Sequence, residues 1–178
     1  WLDDFALYCV LHARYKGRPW WKWPTDMRDR ELSSLNAAAD ELVDALARTR
    51  LEQFLIATEF GDLRAYAHSR GIRLFGDMPI FVAQDSADVW THRSYFKLDA
   101  HGQPSVVAGV PPDYFSADGQ RWGNPHYDWT AMQADGFRWW RDRLSTELQR
   151  FDLIRIDHFR GFEASWEIPA NEPTAING

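Results

Sequence analysis

The segment 151–161, FDLIRIDHFRG, holds the residues most able to do chemistry. An apolar run through Leu153, Ile154 and Ile156 is broken by Arg155 and ends in Asp157. In a strand, residues two apart share a face, so Arg155 and Asp157 point the same way. A fixed guanidinium favours the ionised form of a neighbouring carboxyl. An ionised carboxylate at a strand end is either half of a structural ion pair or a nucleophile kept ready.

Other chemistries lack their residues. There is no G-x-S-x-G elbow, and the single cysteine, Cys9, sits in an apolar helical run with nothing to activate it. The six histidines show neither H-x-H nor H-E-x-x-H spacing, so no metal site is expected. No P-loop or G-x-G-x-x-G cradles a phosphate, and no cofactor is expected. Carboxylate chemistry remains. Glycoside transfer needs one carboxylate as nucleophile and a second carboxyl as acid and base, flanking an oriented ring. Asp157 suits the first role; Asp77, Asp113 and Glu163 are the other carboxylates to consider.

These residues need elements to hold them. Residues 3–15 have helical periodicity through Phe5, Leu7, Tyr8 and Leu11, with Asp3 and Asp4 at the positive end. KGRPWWKWP, 16–24, reads as a loop. Residues 37–70 read as one or two helices, stopped by Gly71. IRLFGDMPIFV, 72–82, reads as a buried strand that becomes irregular after Gly76 and Pro79. A short helix is expected over 86–90, with Asp85 and Asp88 as local caps. YFKLDAHGQPSVVAG, 95–109, looks like a hairpin turning at Gly102 and Pro104. Residues 110–128 form a long loop with three prolines and two glycines; such loops are usually functional. Asp135 is placed to cap a helix over 136–150 that turns Trp139, Leu144 and Leu148 inward. A strand over 152–157 follows. Helix, strand, helix, strand is the order of a parallel α/β fold, whose ligands meet the carboxyl ends of the strands. Asp77 and Asp157 both occupy such ends.

Composition narrows the partners. The 178 residues suffice for one domain with its own core, and the net charge of −6 argues against nucleic acid and anionic membrane surfaces. No apolar run approaches the roughly 20 residues of a membrane span. Six of the ten tryptophans, Trp20, Trp21, Trp23, Trp90, Trp122 and Trp129, lie in polar or Pro/Gly-rich stretches. They suit core packing or flat platforms for sugar rings, and composition does not separate the two.

Four blocks, WWKWP (20–24), GDMPIFVAQDSADVW (76–90), GVPPDYFSADGQRWGNPHYDW (109–129) and FDLIRIDHFRGFEASWEIPA (151–170), together with the opening WLDDFALYCVL, resemble the 4-α-glucanotransferases, the amylomaltase or disproportionating-enzyme branch of the α-amylase clan. The resemblance implies a partial (β/α)8 barrel with a long lid loop, residues 1–178 being the central segment of one catalytic barrel truncated at both ends. It implies a retaining double displacement between α-1,4-glucan or maltooligosaccharide donors and acceptors, without cofactor or metal, in the cytoplasm or, in a plant, the plastid. Asp157 would be the nucleophile and Arg155 its support. Asp77, Asp113, Phe115, Gln120, Trp122 and His158 would contact substrate. The family's acid/base Glu lies on a later strand and its motif is not in the chain; Glu163 and Glu167 are not promoted to that role. The isolated chain is therefore expected to be inactive. A clan hydrolase or a non-catalytic glucan-binding domain is the alternative reading.

Overall fold

A computed structural model describes residues 1–178, which divide into two compact units. The first comprises residues 1–73 and 85–91, and the second residues 74–84 and 92–178.

The first unit is helical. Helix α1 (Leu2–Arg14) carries Asp3 and Asp4 in its first turn, His12 and Arg14 in its last, each sign at the end of the helix dipole that favours it. Its Ala6 and Val10 pack with Leu46 in a small core bordered by Leu7, Ala39, Leu42 and Ala45. Helix α2 (Thr25–Arg28) was not expected from the sequence. Helices α3 (Leu32–Glu41) and α4 (Val43–Ser69) replace the stretch expected over 37–70, starting five residues earlier. Gly71 stops α4 as expected. Its φ is +73°, and the N–H groups of Gly71 and Ile72 return to the carbonyls of His68 and Ala67 at 2.9 and 3.0 Å, closing a Schellman turn. Helix α5 (Ala87–Thr91) forms where expected, but its N-terminal N–H, on Val89, is met by Ser86 Oγ at 3.3 Å. Asp85 instead accepts from Tyr8 Oη at 2.8 Å, Trp20 N at 3.1 Å and His12 Nε2 at 3.2 Å. A carboxylate with that many donors in reach is better satisfied there than as a helix cap. Trp20 and Trp23 are buried packing residues.

The second unit holds the strands. β1 (Phe75–Pro79) and β4 (Leu153–Asp157) are parallel, pairing Phe75 with Leu153, Asp77 with Arg155 and Pro79 with Asp157. On one face Gly76 and Met78 are buried; on the other Phe75, Asp77, Leu153, Arg155 and Asp157 are exposed. The absent side chain of Gly76 is required, because a Cβ there would sit 2.5 Å from the Phe151 ring. A second sheet is antiparallel, with β2 (Val106–Val110) between β3 (Gln120–Pro125) and β5 (Trp166–Pro169). Its buried face gathers Val107, Ile168 and Ala175. Helices α6 (Trp129–Ala134) and α7 (Arg138–Arg150) lie between β3 and β4 in sequence.

The structure corrects three expectations here. The run 95–109 does not make a hairpin ladder: only Leu98 and Pro104 form a bridge, the turn being closed by Asp99, whose Oδ1 accepts from His101 N and Gln103 N at 2.8 Å. The second run pairs instead with distant β3 and β5. The loop expected over 110–128 contains β3, so the irregular part is 111–119. Leu148 is 55% exposed rather than inward; Trp139 and Trp140 provide the buried face of α7. Asp135 does accept the Arg138 N–H at 3.3 Å, and Asp128, unnoticed in the sequence, caps α6 through Ala131 N at 3.0 Å.

Candidate active site at the carboxyl ends of β1 and β4

The parallel pairing places Asp77, Arg155 and Asp157 on one exposed face: Asp157 ends β4, whereas Asp77 stands opposite Arg155 in the middle of β1, which runs on to Pro79, so Asp77 does not end its strand as expected. Arg155 spans both carboxylates: one guanidinium nitrogen is 2.7 Å from Asp77 Oδ2 and the other bonds Asp157 Oδ1. The two-residue period accounts for the Arg155–Asp157 contact, and the register across the strands for the Arg155–Asp77 contact. All three side chains are half exposed, between 54% and 61%, so water screens the pairs and their worth is geometric more than energetic. A planar guanidinium with two forks fixes the direction of both carboxylates.

His158 follows with φ +52°, a left-handed conformation that turns the chain sharply out of the strand. Its ring meets Trp122 edge to face, centroids 5.1 Å apart and planes at 88°. Trp122 Nε1 donates to Gln120 Oε1 at 3.1 Å, the two sharing a face of β3, and the indole lies 6.3 Å from buried Phe81. Gln120, Trp122 and His158 are thus brought together from β3 and the end of β4.

Asp113 and Phe115 occupy a different setting. Asp113 Oδ1 accepts from Phe115 N at 2.9 Å and Ser116 N at 2.8 Å, an Asx turn inside the loop. Phe115 is 91% exposed and meets Tyr114 edge-on at 5.6 Å. The loop is held by a bond within it, Ser116 Oγ to Gly119 O at 2.7 Å, and by one to a distant segment, Asp118 O accepting from Ala175 N at 3.0 Å. Gly119, φ +68°, has no space for a Cβ, with Val110 O 2.5 Å from that point.

Glu167 is occupied. It pairs with Lys97 at 2.5 Å and lies 4.0 Å from the buried ring of His126. Burial pushes the His126 pKa down. No group of three or more His, Cys, Asp and Glu side chains is arranged to hold a metal ion, and no helix is long and apolar enough to cross a membrane.

Residues that the sequence reading passed over hold the rim from behind. Tyr127 Oη donates to Ile80 O at 2.6 Å, Asn124 Nδ2 to Val82 O at 2.9 Å, and Arg143 to Pro79 O at 2.7 Å. Their available signal was position alone, in the block 109–129 and on a helix next to β4.

A sequence model of the 4-alpha-glucanotransferase family matches residues 1–178. A 4-alpha-glucanotransferase of Thermus thermophilus is 52% identical over all of this chain, which covers 36% of that protein. The chloroplastic/amyloplastic 4-alpha-glucanotransferase of Solanum tuberosum is 42% identical, with 31% of it covered. The chain therefore spans about a third of the length of these curated relatives. Among solved structures, the amylomaltase from Streptococcus agalactiae in complex with acarbose superposes with a TM-score of 0.96 at 37% identity, over all of this chain and 36% of that one. Amylomaltase from Corynebacterium glutamicum, 20% identical, shares the fold with a TM-score of 0.73, over 98% of this chain and 22% of that one. The parallel β1–β4 pair is thus part of a (β/α)8 barrel, and this chain belongs to the 4-alpha-glucanotransferase family.

Proposed function

We propose that the chain is the central segment of a single (β/α)8 catalytic barrel that transfers α-1,4-glucan segments between maltooligosaccharides by a retaining double displacement. The observation that carries this reading is Asp157 at the carboxyl end of β4, aimed by Arg155 and set beside Asp77. Asp157 attacks the anomeric carbon as the bond to the leaving glucan oxygen breaks, giving a glucosyl ester on its carboxylate. The 4-hydroxyl of a second glucan then attacks that carbon, its proton passing to the group that had protonated the leaving oxygen, which releases Asp157 and restores the α configuration. Arg155 orients the Asp157 carboxylate for the first attack and meets it again when the second step releases it. Asp77 and His158 suit hydroxyls of the ring, and Gln120 with Trp122 offers an amide and a flat apolar face. Asp113 and Phe115, on the exposed loop, are proposed to meet more distant glucose units. The proton donor to the leaving oxygen is assigned to no residue here: Glu167 is held by Lys97, and Glu163 follows a 3-10 turn beyond the strand end. Maltooligosaccharide donor and acceptor are the partners, and the cytoplasm, or the plastid in a plant, is the compartment that suits this substrate.

The test is Asp157→Asn in the protein at the full length of its relatives, with glucose and longer maltooligosaccharides from maltotriose as the readout. The amide keeps the shape and loses the nucleophile, so transfer falls by at least about a thousandfold while maltotriose still binds. Transfer within about tenfold of wild type overturns the assignment.

A further inference from the structure

We infer that Arg143, on the outer helix α7, is a positioning residue for the rim that carries Asp157, an inference that rests on the function proposed above. Pro79 stands opposite Asp157 in the parallel ladder. Proline has no N–H, so the ladder loses a donor on β1 at the level of the candidate nucleophile. The backbone there is held from the side instead. Arg143 donates to Pro79 O at 2.7 Å and to Ile80 O at 3.3 Å, and Tyr127 Oη donates to Ile80 O at 2.6 Å.

The clamp is itself fixed. The Arg143 guanidinium lies 5.3 Å and 5.0 Å from the ring centroids of Trp139 and Trp140, both buried and at right angles to one another. A planar cation against two indoles has little freedom to swing, and its separate nitrogens suit two successive carbonyls. What it fixes reaches the site. Ile80 is 2% exposed, and its Cδ1 lies 2.8 Å from where a Cβ of Gly161 would be, with His158 Cδ2 at 3.2 Å from the same point. The Ile80 side chain therefore fills the space under the turn 158–161, which leaves Asp157 through the left-handed His158. Arg143 and Tyr127 hold Ile80; Ile80 seats the turn; the turn sets the end of β4.

This predicts a defect in the chemical step. A displacement of about 1 Å between reacting atoms costs up to about a hundredfold in rate. Arg143→Met keeps the stem between the tryptophans and removes every donor. In the full-length protein it should lower kcat for maltotriose disproportionation, per folded molecule, about 10- to 100-fold with KM changed less than about threefold. Arg143→Lys, which supplies one donor and the charge, should recover a large part of kcat. Tyr127→Phe should lower kcat in the same direction, and less than additively when combined with Arg143→Met, because both act on one carbonyl. If Arg143→Met does not fold, Tyr127→Phe, which removes the other donor to Ile80 O, decides in its place. Wild-type kcat in folded Arg143→Met, or in Tyr127→Phe where that variant decides, overturns the inference whatever the thermal stability. Asp157→Asn assayed alongside separates the two readings. Activity there brings down the nucleophile; an inactive Asp157→Asn beside an unimpaired Arg143→Met brings down the positioning role alone.

Discussion

Arg155 is one cation shared by two carboxylates, so a single planar group sets the direction of both. Its contact with Asp157 follows from the spacing of two residues in a strand; its contact with Asp77 requires the register between strands 78 residues apart, which no local pattern encodes. Trp122 was legible as an aromatic in a Gly/Pro-framed stretch, and its pairing with His158 was not, since edge-to-face contact depends on where the β3 hairpin lies. Asp113 shows the opposite case. Its place after two prolines suits a turn as well as a substrate contact, and the Asx turn accounts for one of its oxygens. Trp122 carries a prediction at this scale. Its indole covers His158, and losing it admits water beside the sugar that Asp157 would hold. Trp122→Ala should therefore raise the ratio of hydrolysis to transfer, read as reducing-end release against longer oligosaccharides from maltotriose. An unchanged ratio with a lower Tm would make Trp122 a packing residue only.

The long helices and the parallel strands were readable because each announces itself locally: apolar period in α1, a left-handed glycine after α4, an apolar run in β4; the short helices α2 and α6 were not. The antiparallel sheet was not. QRWGNP has no apolar alternation and contains both a glycine and a proline, so β3 reads as loop until its partner is known. The expected partner of β2 was its near neighbour at 95–98; the structure gives that ladder to β3 and β5. The same sheet buries His126, 3% exposed, against the edge of Phe81. Burial lowers its pKa below the ordinary 6.5; Glu167 pulls it upward and Lys97 presses it down. A histidine held neutral in the fold takes up a proton more readily when unfolded. The unfolded state then binds more protons in the window just below pH 6.5, and stability falls as pH drops into it. Urea midpoints at pH 7.5 and about 5.5 should differ more in wild type than in His126→Gln, whose side chain does not titrate. Equal differences would assign the pH dependence to other groups.

At the scale of the molecule, alternation of helix and strand pointed to a parallel α/β fold, and the parallel β1–β4 pair and the whole chain's TM-score of 0.96 to an amylomaltase agree. The division into two compact units was not legible, because the first unit takes residues 85–91 from beyond β1, a placement set by Asp85 and its three distant donors rather than by any linker. The proposed double displacement passes through a covalent glucosyl ester on Asp157, in the second unit. Reaction of the full-length protein with a fluorinated glucosyl fluoride, a donor that forms the ester and releases it slowly, traps that state, and peptide mass spectrometry maps the added mass. One added sugar is expected on the peptide containing Asp157, absent in Asp157→Asn. A sugar on Asp77, Glu163 or any other residue, or turnover with retention of configuration and no adduct, would contradict it.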